Sequence, residues 1–471
     1  MPESTLATRR EQDLLGPREI PADAYYGVQT LRGLENFHIS GVPLAHYPEL
    51  IQALAMIKMA AARANRECGQ ITAEIAEGIE AACRELIEGR LHNQFRLDVF
   101  QGGAGTSTNM NANEVIANRA LELMGRHKGE YAHCDPHDHV NCAQSTNDAY
   151  PSALHIALAL GNRKLVREMR SLADSLRSKA REFDHIVKMG RTQLQDAVPM
   201  TLGQEFEAFA RSLEDEIDAL ERVETVLHEV NMGGTAIGTG LNAPAGFAER
   251  CTAQLAAITG MPIRLAKNLV EATQDTQAFV LYSSVLKSLS IKASKICNDL
   301  RLLSSGPRAG LHEINLPPMQ PGSSIMPGKV NPVIPEVVNQ VCYRVIGSDL
   351  TVTLAAEAGQ LQLNVMEPVI AACLLEGQTL LYNAARTLRE RCISGITANE
   401  DVCRLLLERS IGTVTALNPV IGYDKSTELA AEALRTGKGI VELVREKKIL
   451  SEEQLARILD PAAMTGTARR A

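Results

Sequence analysis

The longest apolar repeat in the sequence lies in its middle third, and it constrains the fold more than any other feature. Apolar side chains recur there at intervals of three or four residues, at Phe206, Phe209, Leu213, Ile217, Leu220, Val223, Leu227 and Val230. This spacing places all of them on one face of an α-helix of about seven turns. Thr201 and Gln204, just before the repeat, match the capping box that begins a helix. We therefore predict one long helix that ends near Val230.

Other segments show the same helical spacing. Shorter amphipathic helices are predicted over residues 50–67 and 72–90, and longer ones over residues 165–183 and 276–303, from Pro335 past Ala358, and after Pro368. The fold class is therefore mainly α, with a long central helical bundle. Apolar stripes of this length need long partners, so we expect other subunits to complete the bundle. A monomeric helical domain is the alternative.

The length of 471 residues suggests about three domains. We place a mixed helical domain at residues 1–143, the long-helix bundle at 144–397 and a small helical domain at 398–471. Within the first domain, residues 11–27 are rich in turn formers and are expected to be loop or extended chain.

Charge and cysteine content restrict the partners and the compartment. The net charge of −8 argues against a nucleic-acid partner. The ten cysteines show no C-x-x-C spacing, which is typical of reduced thiols in a cytoplasmic protein. The N-terminus lacks the apolar core of a signal peptide, and no uncharged apolar run of membrane-spanning length occurs. We expect a cytoplasmic protein without a membrane or nucleic-acid partner.

Four polar loops are the candidates for chemistry, at residues 101–111, 142–151, 188–200 and 322–332. Each combines Gly or Pro with Ser, Thr, Asn or Gln. Such donors, together with helix N-termini, bind carboxylates without many full charges. One such loop alone would more often serve helix capping or a turn. Four of them, each beside a long helix, favour a site for a small anionic substrate.

The loop GSSIMPGKVNP (322–332) contains the strongest candidates. Lys329 is its only cation, and it is either a solvated surface lysine or the partner of a substrate carboxylate, with the amide of Asn331 beside it. Ser323 could remove a proton only if its alkoxide were stabilised by backbone N–H groups and a nearby ammonium.

Two further segments could indicate a metal or a nucleotide cofactor, but their signals are weaker than those of the four polar loops. HCDPHDH (133–139) contains metal-binding residue types, but not at the spacing of a structural zinc site. Gly102, Gly103 and Gly105 do not match a dinucleotide fingerprint. We expect no resident metal and no nucleotide cofactor.

GSSIMPGKVNP is similar to the signature loop of the aspartase/fumarase superfamily, and the other three loops match that superfamily's substrate segments in order. The resemblance extends from about Glu11 to Asp460. DLLGPREIPADAYYGVQTLR (13–32), Thr146 and Gln193 resemble the aspartate ammonia-lyase branch more than the fumarase branch. A class II fumarase acting on malate, or a non-catalytic structural member, is the alternative.

The resemblance implies a three-domain helical subunit in a homotetramer whose active sites each take loops from three subunits. It implies reversible elimination of ammonia from L-aspartate to give fumarate. No cofactor is implied, although an activating divalent metal such as Mg²⁺ stays open.

The resemblance also implies a role for each site residue. Ser323 is the base. The β-carboxylate, which becomes an enediolate, is surrounded by Thr106, Ser145, Thr146 and Ser324. The α-carboxylate is held by Thr192, Lys329 and Asn331, and the amino group faces Thr106, Asn147 and Gln193. Glu336 matches a glutamate that partners a histidine in fumarases, but Gln193 stands where that histidine would be.

Overall fold

The computed structural model describes residues 7–465 and is mainly α. The helices within this range are α1 (Val28–Asn36), α2 (Pro48–Glu67), α3 (Ala73–Ile87), α4 (Thr106–Leu123), α5 (Thr146–Glu182), α6 (Leu202–Glu224), α7 (Phe247–Thr259), α8 (Leu269–Ala272), α9 (Gln277–Leu303), α10 (Val333–Glu357), α11 (Glu367–Arg391), α12 (Glu400–Arg409), α13 (Val414–Ile421), α14 (Tyr423–Thr436), α15 (Ile440–Glu446), α16 (Glu452–Ile458) and α17 (Pro461–Thr465).

Short strands pair two by two in the same part of the chain. They are β1 (Thr8–Asp13) with β2 (Gly16–Pro21), β3 (Val187–Thr192) with β4 (Gln195–Thr201), β5 (Glu229–Val230) with β6 (Arg264–Leu265), and β7 (Ile314–Asn315) with β8 (Thr397–Ala398). The β5–β6 pair is parallel and the other three are antiparallel.

The predicted helices are confirmed as elements. The structure has α2 and α3 where residues 50–67 and 72–90 were predicted, and the side chain of Thr72 caps α3. The other long helices correspond to α5, α9, α10 and α11. All of the apolar residues that define the repeat from Phe206 to Val230 are buried.

The predicted end of α6 is wrong, whereas its start is confirmed. The backbone N–H of Gln204 donates to Thr201 Oγ1, and the N–H of Thr201 donates to Gln204 Oε1, both at 3.0 Å. The helix ends at Glu224, and a short 3₁₀ turn leads into β5. Val230 is therefore buried as part of a strand that pairs with the distant β6, although its spacing continues the helical pattern.

Two segments without a helix prediction form antiparallel hairpins. Residues 11–27 were expected to be loop or extended, and their first part belongs to the β1–β2 hairpin. Residues 188–200 were interpreted as a loop, and this is wrong, because they form the β3–β4 hairpin.

The chain divides into two compact units. Within residues 7–465, unit 1 contains residues 7–166, 218–288 and 343–381, and unit 2 contains residues 167–217, 289–342 and 382–465. The three-domain division at 143/144 and 397/398 stays a prediction. The end of the predicted C-terminal domain, residues 466–471, lies outside the described residues.

Unit 1 holds its long helices together through a buried polar contact. Gln378 Nε2 donates to Tyr282 Oη at 2.6 Å and to the carbonyl of Leu158 at 2.8 Å, and Tyr282 Oη donates to Asn162 Oδ1 at 3.1 Å. A Cβ atom on Gly161 would lie 2.3 Å from Gln378 Oε1, so the glycine permits this close approach of α5 and α11. The contact fixes α5, α9 and α11 in register.

Unit 2 contains an aromatic core and a small helical core. The rings of Phe183 and Phe206 meet edge to face with centroids 5.3 Å apart, at the junction of α5 and α6. Near the C-terminus, buried side chains of α13 to α16 form a separate cluster, which includes Leu417, Leu429 and Leu443. None of the helices within residues 7–465 is long and apolar enough to cross a membrane.

Candidate active site

Thr106 is the first residue of α4, and the glycine-rich turn before it lies on a buried tyrosine. Gly105 has φ +88°, and a Cβ atom there would lie 2.5 Å from the ring of Tyr150. Only glycine fits this position, because it tolerates both the left-handed backbone and the close contact. Tyr150 is one helical turn after Thr146, so this contact brings Thr106 to the start of α5.

Ser145 and Asn147 form the turn that begins α5, and the next residue, Asp148, fixes that turn. Ser145 Oγ accepts from the N–H of Asn147 at 3.2 Å, and Asp148 Oδ1 accepts from the N–H of Ser145 at 2.9 Å. The other oxygen, Asp148 Oδ2, accepts from the N–H groups of Gly233 and Thr235. Burial raises the pKa of Asp148 to about 6, although these hydrogen bonds oppose the shift.

Thr146 is buried and is oriented by an asparagine of α4. Asn109 Nδ2 donates to Thr146 Oγ1 at 3.3 Å and to Asn141 Oδ1 at 3.1 Å. Thr146 Oγ1 accepts in this contact, and its hydroxyl can still donate its hydrogen to another acceptor. This is the polarity that binding of a carboxylate requires.

A buried lysine lies beneath the same turn. Lys58 Nζ donates to Asn141 Oδ1 and to Gln144 Oε1, both at 3.0 Å. Burial lowers the pKa of Lys58 to about 7, and the charge of Asp148 partly opposes this shift. Through these two hydrogen bonds, Lys58 stabilises the turn that precedes α5.

Asn147 uses its amide to hold a neighbouring loop. Its Nδ2 donates to the carbonyl of Ala236 at 2.8 Å, and its own carbonyl accepts from Asn231 Nδ2 at 3.0 Å. These contacts join the start of α5 to the glycine-rich loop that follows β5.

Thr192 and Gln193 lie at the exposed tip of the β3–β4 hairpin, in unit 2. Gln193 has φ +51° and Leu194 has φ +61°, as the central residues of a two-residue turn. Neither is glycine, so the left-handed backbone costs about 1–2 kcal/mol at each residue. Strain of this kind is concentrated at functional sites.

Ser323 lies in the 322–332 loop with two backbone donors at its oxygen. Ser323 Oγ accepts from the N–H of Ile325 at 3.2 Å and from the N–H of Met326 at 3.0 Å. Hydrogen bonds to the charged form of a group stabilise that form. The loop thus supplies the backbone donors that an alkoxide at Ser323 would need.

The same loop is closed by contacts between its two ends. The N–H of Gly322 donates to the carbonyl of Lys329 at 2.7 Å, and Asn331 Nδ2 donates to the carbonyl of Gly322 at 2.8 Å. A Cβ atom on Gly322 would lie 2.8 Å from the Asn331 nitrogen, so this position requires glycine. Ser324 and Lys329 are exposed on the closed loop, and Glu336 lies in the first turn of α10.

The predicted site residues fall into two sets. Unit 1 carries Thr106, Ser145, Thr146 and Asn147, and unit 2 carries Thr192, Gln193, Ser323, Ser324, Lys329 and Asn331. Sequence reasoning missed the supporting residues Lys58, Asn109 and Asp148. One signal was present, since Lys58 interrupts the apolar run LAMIKMAAA of α2.

The segment HCDPHDH makes local structure. Pro136–Val140 is a single π-helical turn, capped by Asp135, whose own N–H donates to His139 Nδ1 at 2.8 Å. Across residues 7–465, no group of three or more His, Cys, Asp or Glu side chains is placed to hold a metal ion.

Two family models match the chain, one described as "Lyase" over residues 16–347 and one as "Fumarase C C-terminus" over residues 414–466. The first covers well over half of the sequence. The chain belongs to this family of lyases. The family resemblance inferred from the 322–332 loop is confirmed.

Similar curated proteins include several aspartate ammonia-lyases. That of Pseudomonas aeruginosa is 60% identical over 97% of both chains, and that of Escherichia coli K12 is 56% identical over 95% of this chain and 94% of its own.

Solved structures of lyase family members share the fold. A fumarate lyase:delta crystallin from Brucella melitensis bound to cobalt has a TM-score of 0.94 at 55% identity, over 98% of this chain and 100% of its own. A class II fumarase from Schistosoma mansoni has a TM-score of 0.90 at 35% identity, over 98% and 99% of the two chains. The fold is common to these lyases, whereas sequence identity is higher with the two aspartate ammonia-lyases, at 56–60%, than with the class II fumarase, at 35%.

Proposed function

We propose that this chain is an aspartate ammonia-lyase, a carbon–nitrogen lyase that converts L-aspartate reversibly to fumarate and ammonia. The observation that carries the proposal is the identity of 55–60% with curated aspartate ammonia-lyases over nearly the full chain. The contacts around Ser323 and Thr146 support it, because they suit proton removal beside a carboxylate.

The difficult step is removal of a weakly acidic proton from Cβ of aspartate. Ser323 accepts this proton, and the two N–H donors at its oxygen stabilise the alkoxide that does so. The electron pair of the broken C–H bond moves into the adjacent β-carboxylate and gives an enediolate. Thr106, Ser145, Thr146 and Ser324 donate to this group, and their bonds strengthen as its charge grows.

The enediolate then collapses to the double bond of fumarate and expels the amino group. The electron pair of the C–N bond leaves with the nitrogen, so a protonated amine departs as ammonia without a proton from the protein. Gln193 orients this group together with Asn147 and Thr106, since an amide is no useful acid. Thr192, Lys329 and Asn331 hold the α-carboxylate.

The proposed chemistry needs no organic cofactor, and a divalent metal such as Mg²⁺ is at most an activator. A cytoplasmic location suits the ten free thiols of the chain.

We further propose that the enzyme is a homotetramer whose active sites are each built from three subunits. An apolar face of α10 supports an assembly. Tyr343, Leu350 and Leu354 are 58–62% exposed there, at helical spacing with Gly347 between them. An exposed apolar stripe of this kind is typical of a surface that another subunit covers.

The function is tested by offering L-aspartate and L-malate separately and following fumarate by ultraviolet absorbance, with ammonia measured in parallel. We expect fumarate and ammonia from L-aspartate in equal amounts. Fumarate from L-malate alone would identify a fumarase instead.

A further inference from the structure

Two buried carboxylates meet at the N-terminal end of α1. Glu114 belongs to α4 and Glu11 to β1, and they are 2% and 7% exposed. A Cβ atom on Gly27, directly before α1, would lie 2.6 Å from Glu11 Oε2 and 2.9 Å from Glu114 Oε1, so only glycine leaves room for both. Neither carboxylate takes part in the proposed chemistry.

Glu114 accepts four hydrogen bonds from the start of α1. Its Oε2 accepts from the N–H of Gly27 at 2.7 Å, and from the N–H and the hydroxyl of Thr30 at 3.1 and 2.6 Å. Its Oε1 accepts from the N–H of Gln29 at 2.8 Å. The first N–H groups of a helix have no partner within the helix, and negative charge is favoured beside them. Glu114 therefore fixes the N-terminal end of α1 to α4.

The four partners of Glu114 are all donors, which is the set that an ionised carboxylate satisfies. Burial raises the pKa of Glu114 to about 7, although the bonds from Thr30, Gln29 and Gly27 oppose the shift. The side chain is therefore mostly ionised above about pH 8. Glu11 differs, because its Oε1 pairs with Arg9 Nε at 2.7 Å.

The other end of α1 lies against the glycine-rich turn that carries Thr106. A Cβ atom on Gly33 would lie 3.3 Å from Ser107 Cβ, so the last turn of α1 touches the start of α4. The ring of Phe37, which follows α1, is 4.0 Å from the Cβ position of Gly102. The end of α1 thus contacts both ends of the turn from residue 102 to residue 107.

The position of the Thr106 hydroxyl follows from this turn. Thr106 Oγ1 donates to the carbonyl of Gly103 at 2.7 Å, and the N–H of Thr106 donates to the same carbonyl at 3.0 Å. α1 has nine residues, with Glu114 at one end and the turn at the other. A displacement of its N-terminal end therefore shifts its contacts with the turn.

We propose that Glu114 is a positioning residue for Thr106. It holds α1 on α4, α1 supports the glycine-rich turn, and the turn places the hydroxyl that stabilises the enediolate. Glu114 touches no substrate itself. The inference rests on the proposed function for the role of Thr106, and it needs no segment other than residues 27–37 and 102–114 of one chain.

The first test is Glu114→Gln, assayed with L-aspartate at about pH 8.5, where the carboxylate is ionised. Glutamine has one acceptor oxygen, so at least one N–H group of α1 faces a second donor and the helix is displaced. We expect kcat to fall by about 10- to 100-fold with a smaller change in KM, because the Thr106 bond strengthens in the transition state.

A double-mutant cycle separates positioning from general destabilisation. In a Thr106→Ala background, Glu114→Gln should lower kcat by less than about 2-fold, because the hydroxyl that it positions is gone. An equal loss of kcat in both backgrounds would overturn the proposal, and so would a folded Glu114→Gln variant with unchanged kcat.

Hydrogen exchange gives a readout that is independent of activity. The amides of Thr106 and Thr108 are hydrogen-bonded within the turn, and they should exchange faster in Glu114→Gln than in the unaltered protein. The matched control is Glu85→Gln, which removes a carboxylate that joins α3 to Arg119 near the other end of α4. That control should change neither kcat nor exchange in the turn.

A milder variant decides the matter if Glu114→Gln does not fold. Thr30→Val removes one of the four donors and leaves the carboxylate in place. It should lower kcat by about 2- to 5-fold, and this loss should also disappear in the Thr106→Ala background. A loss that persists there would overturn the proposal.

Failure of the proposed function would be recognised separately, as an unaltered protein that forms no fumarate from L-aspartate. The exchange comparison would then decide whether Glu114 supports the turn. Unchanged exchange of the Thr106 and Thr108 amides in the folded Glu114→Gln variant would overturn that link.

Discussion

In the proposed site, the charge of Lys329 binds the α-carboxylate of L-aspartate. The Lys329→Ala variant should raise the KM for L-aspartate by about 10- to 100-fold and also lower kcat, since a charge-assisted hydrogen bond to the α-carboxylate is lost. Initial rates over a range of aspartate concentrations measure both constants. The matched control is Lys425→Ala, an exposed lysine on α14. An unchanged KM in the Lys329 variant would contradict its carboxylate role.

Lys58 links the stability of the protein to pH. Its pKa falls from 10.5 in the unfolded chain to about 7 in the folded one. Between these values the unfolded chain binds more protons, so this lysine destabilises the fold at pH 7 and progressively less as the pH rises. In denaturant unfolding, the free energy of unfolding of the unaltered protein, measured relative to that of Lys58→Met, should therefore rise from pH 7 to pH 9. Parallel stability curves for the two proteins would show that Lys58 is charged in the fold.

The residues proposed to bind substrate were selected from the sequence, whereas the residues that support them in the structure were not. Ser145, Thr146 and Ser323 lie in loops of recognisable composition. Lys58 is recognisable only as a polar residue in an apolar run, because its partner Asn141 is 83 residues away. Burial of a charged group depends on such distant partners, which local patterns do not contain.

At the scale of elements, the β3–β4 hairpin carries local strain that a substitution can relieve. Leu194 is exposed and has φ +61°, where a residue other than glycine is destabilised by about 1–2 kcal/mol. Leu194→Gly should therefore stabilise the protein by up to about 1 kcal/mol after the entropy cost of glycine. The midpoint of thermal unfolding measures this.

The matched comparison for that prediction is Leu194→Val. A β-branched side chain fits the left-handed region poorly, so this variant should unfold at a lower temperature than the unaltered protein. If valine were tolerated as well as glycine, the tip would not be strained.

The elements themselves were predicted where their signals are local. The apolar spacing of α6 and its capping box predicted its start, but its end depends on the pairing of β5 with β6, which are separated by 33 residues or more in sequence. The β3–β4 hairpin has Gln-Leu at its tip in place of the Asn-Gly or Asp-Gly that usually marks such a turn. The wrong end of α6 and the unpredicted β3–β4 hairpin therefore both have a physical cause, in distant contacts or in backbone strain, that composition does not show.

At the scale of the whole molecule, the exposed stripe of α10 predicts assembly. Leu350→Asp places a charge where another subunit is proposed to pack, so it should lower the oligomeric state and the activity together. Light scattering coupled to gel filtration measures the mass. The control is Leu434→Asp on α14, where the leucine is 73% exposed but lies outside the stripe. A Leu350 variant with unchanged mass would contradict an interface at this face.

The sequence also indicated the need for partners, because its apolar stripes are longer than one helical domain requires. Which side chains stay exposed in the single chain could not be read from periodicity. Phe206 and Leu350 both belong to apolar helical patterns, but only the first is buried within the subunit. Separation of core positions from interface positions depends on the three-dimensional packing of the long helices.

The central claim is that Ser323 removes the Cβ proton of L-aspartate. The most direct measurement is the initial rate of fumarate formation from L-aspartate by the unaltered protein and by Ser323→Ala, with thermal unfolding of both proteins as the check on folding. The claim predicts a loss of at least about 10²- to 10⁴-fold in kcat, because the base is gone, with an unchanged Tm. A folded Ser323→Ala variant that still forms fumarate at a near-normal rate would contradict it.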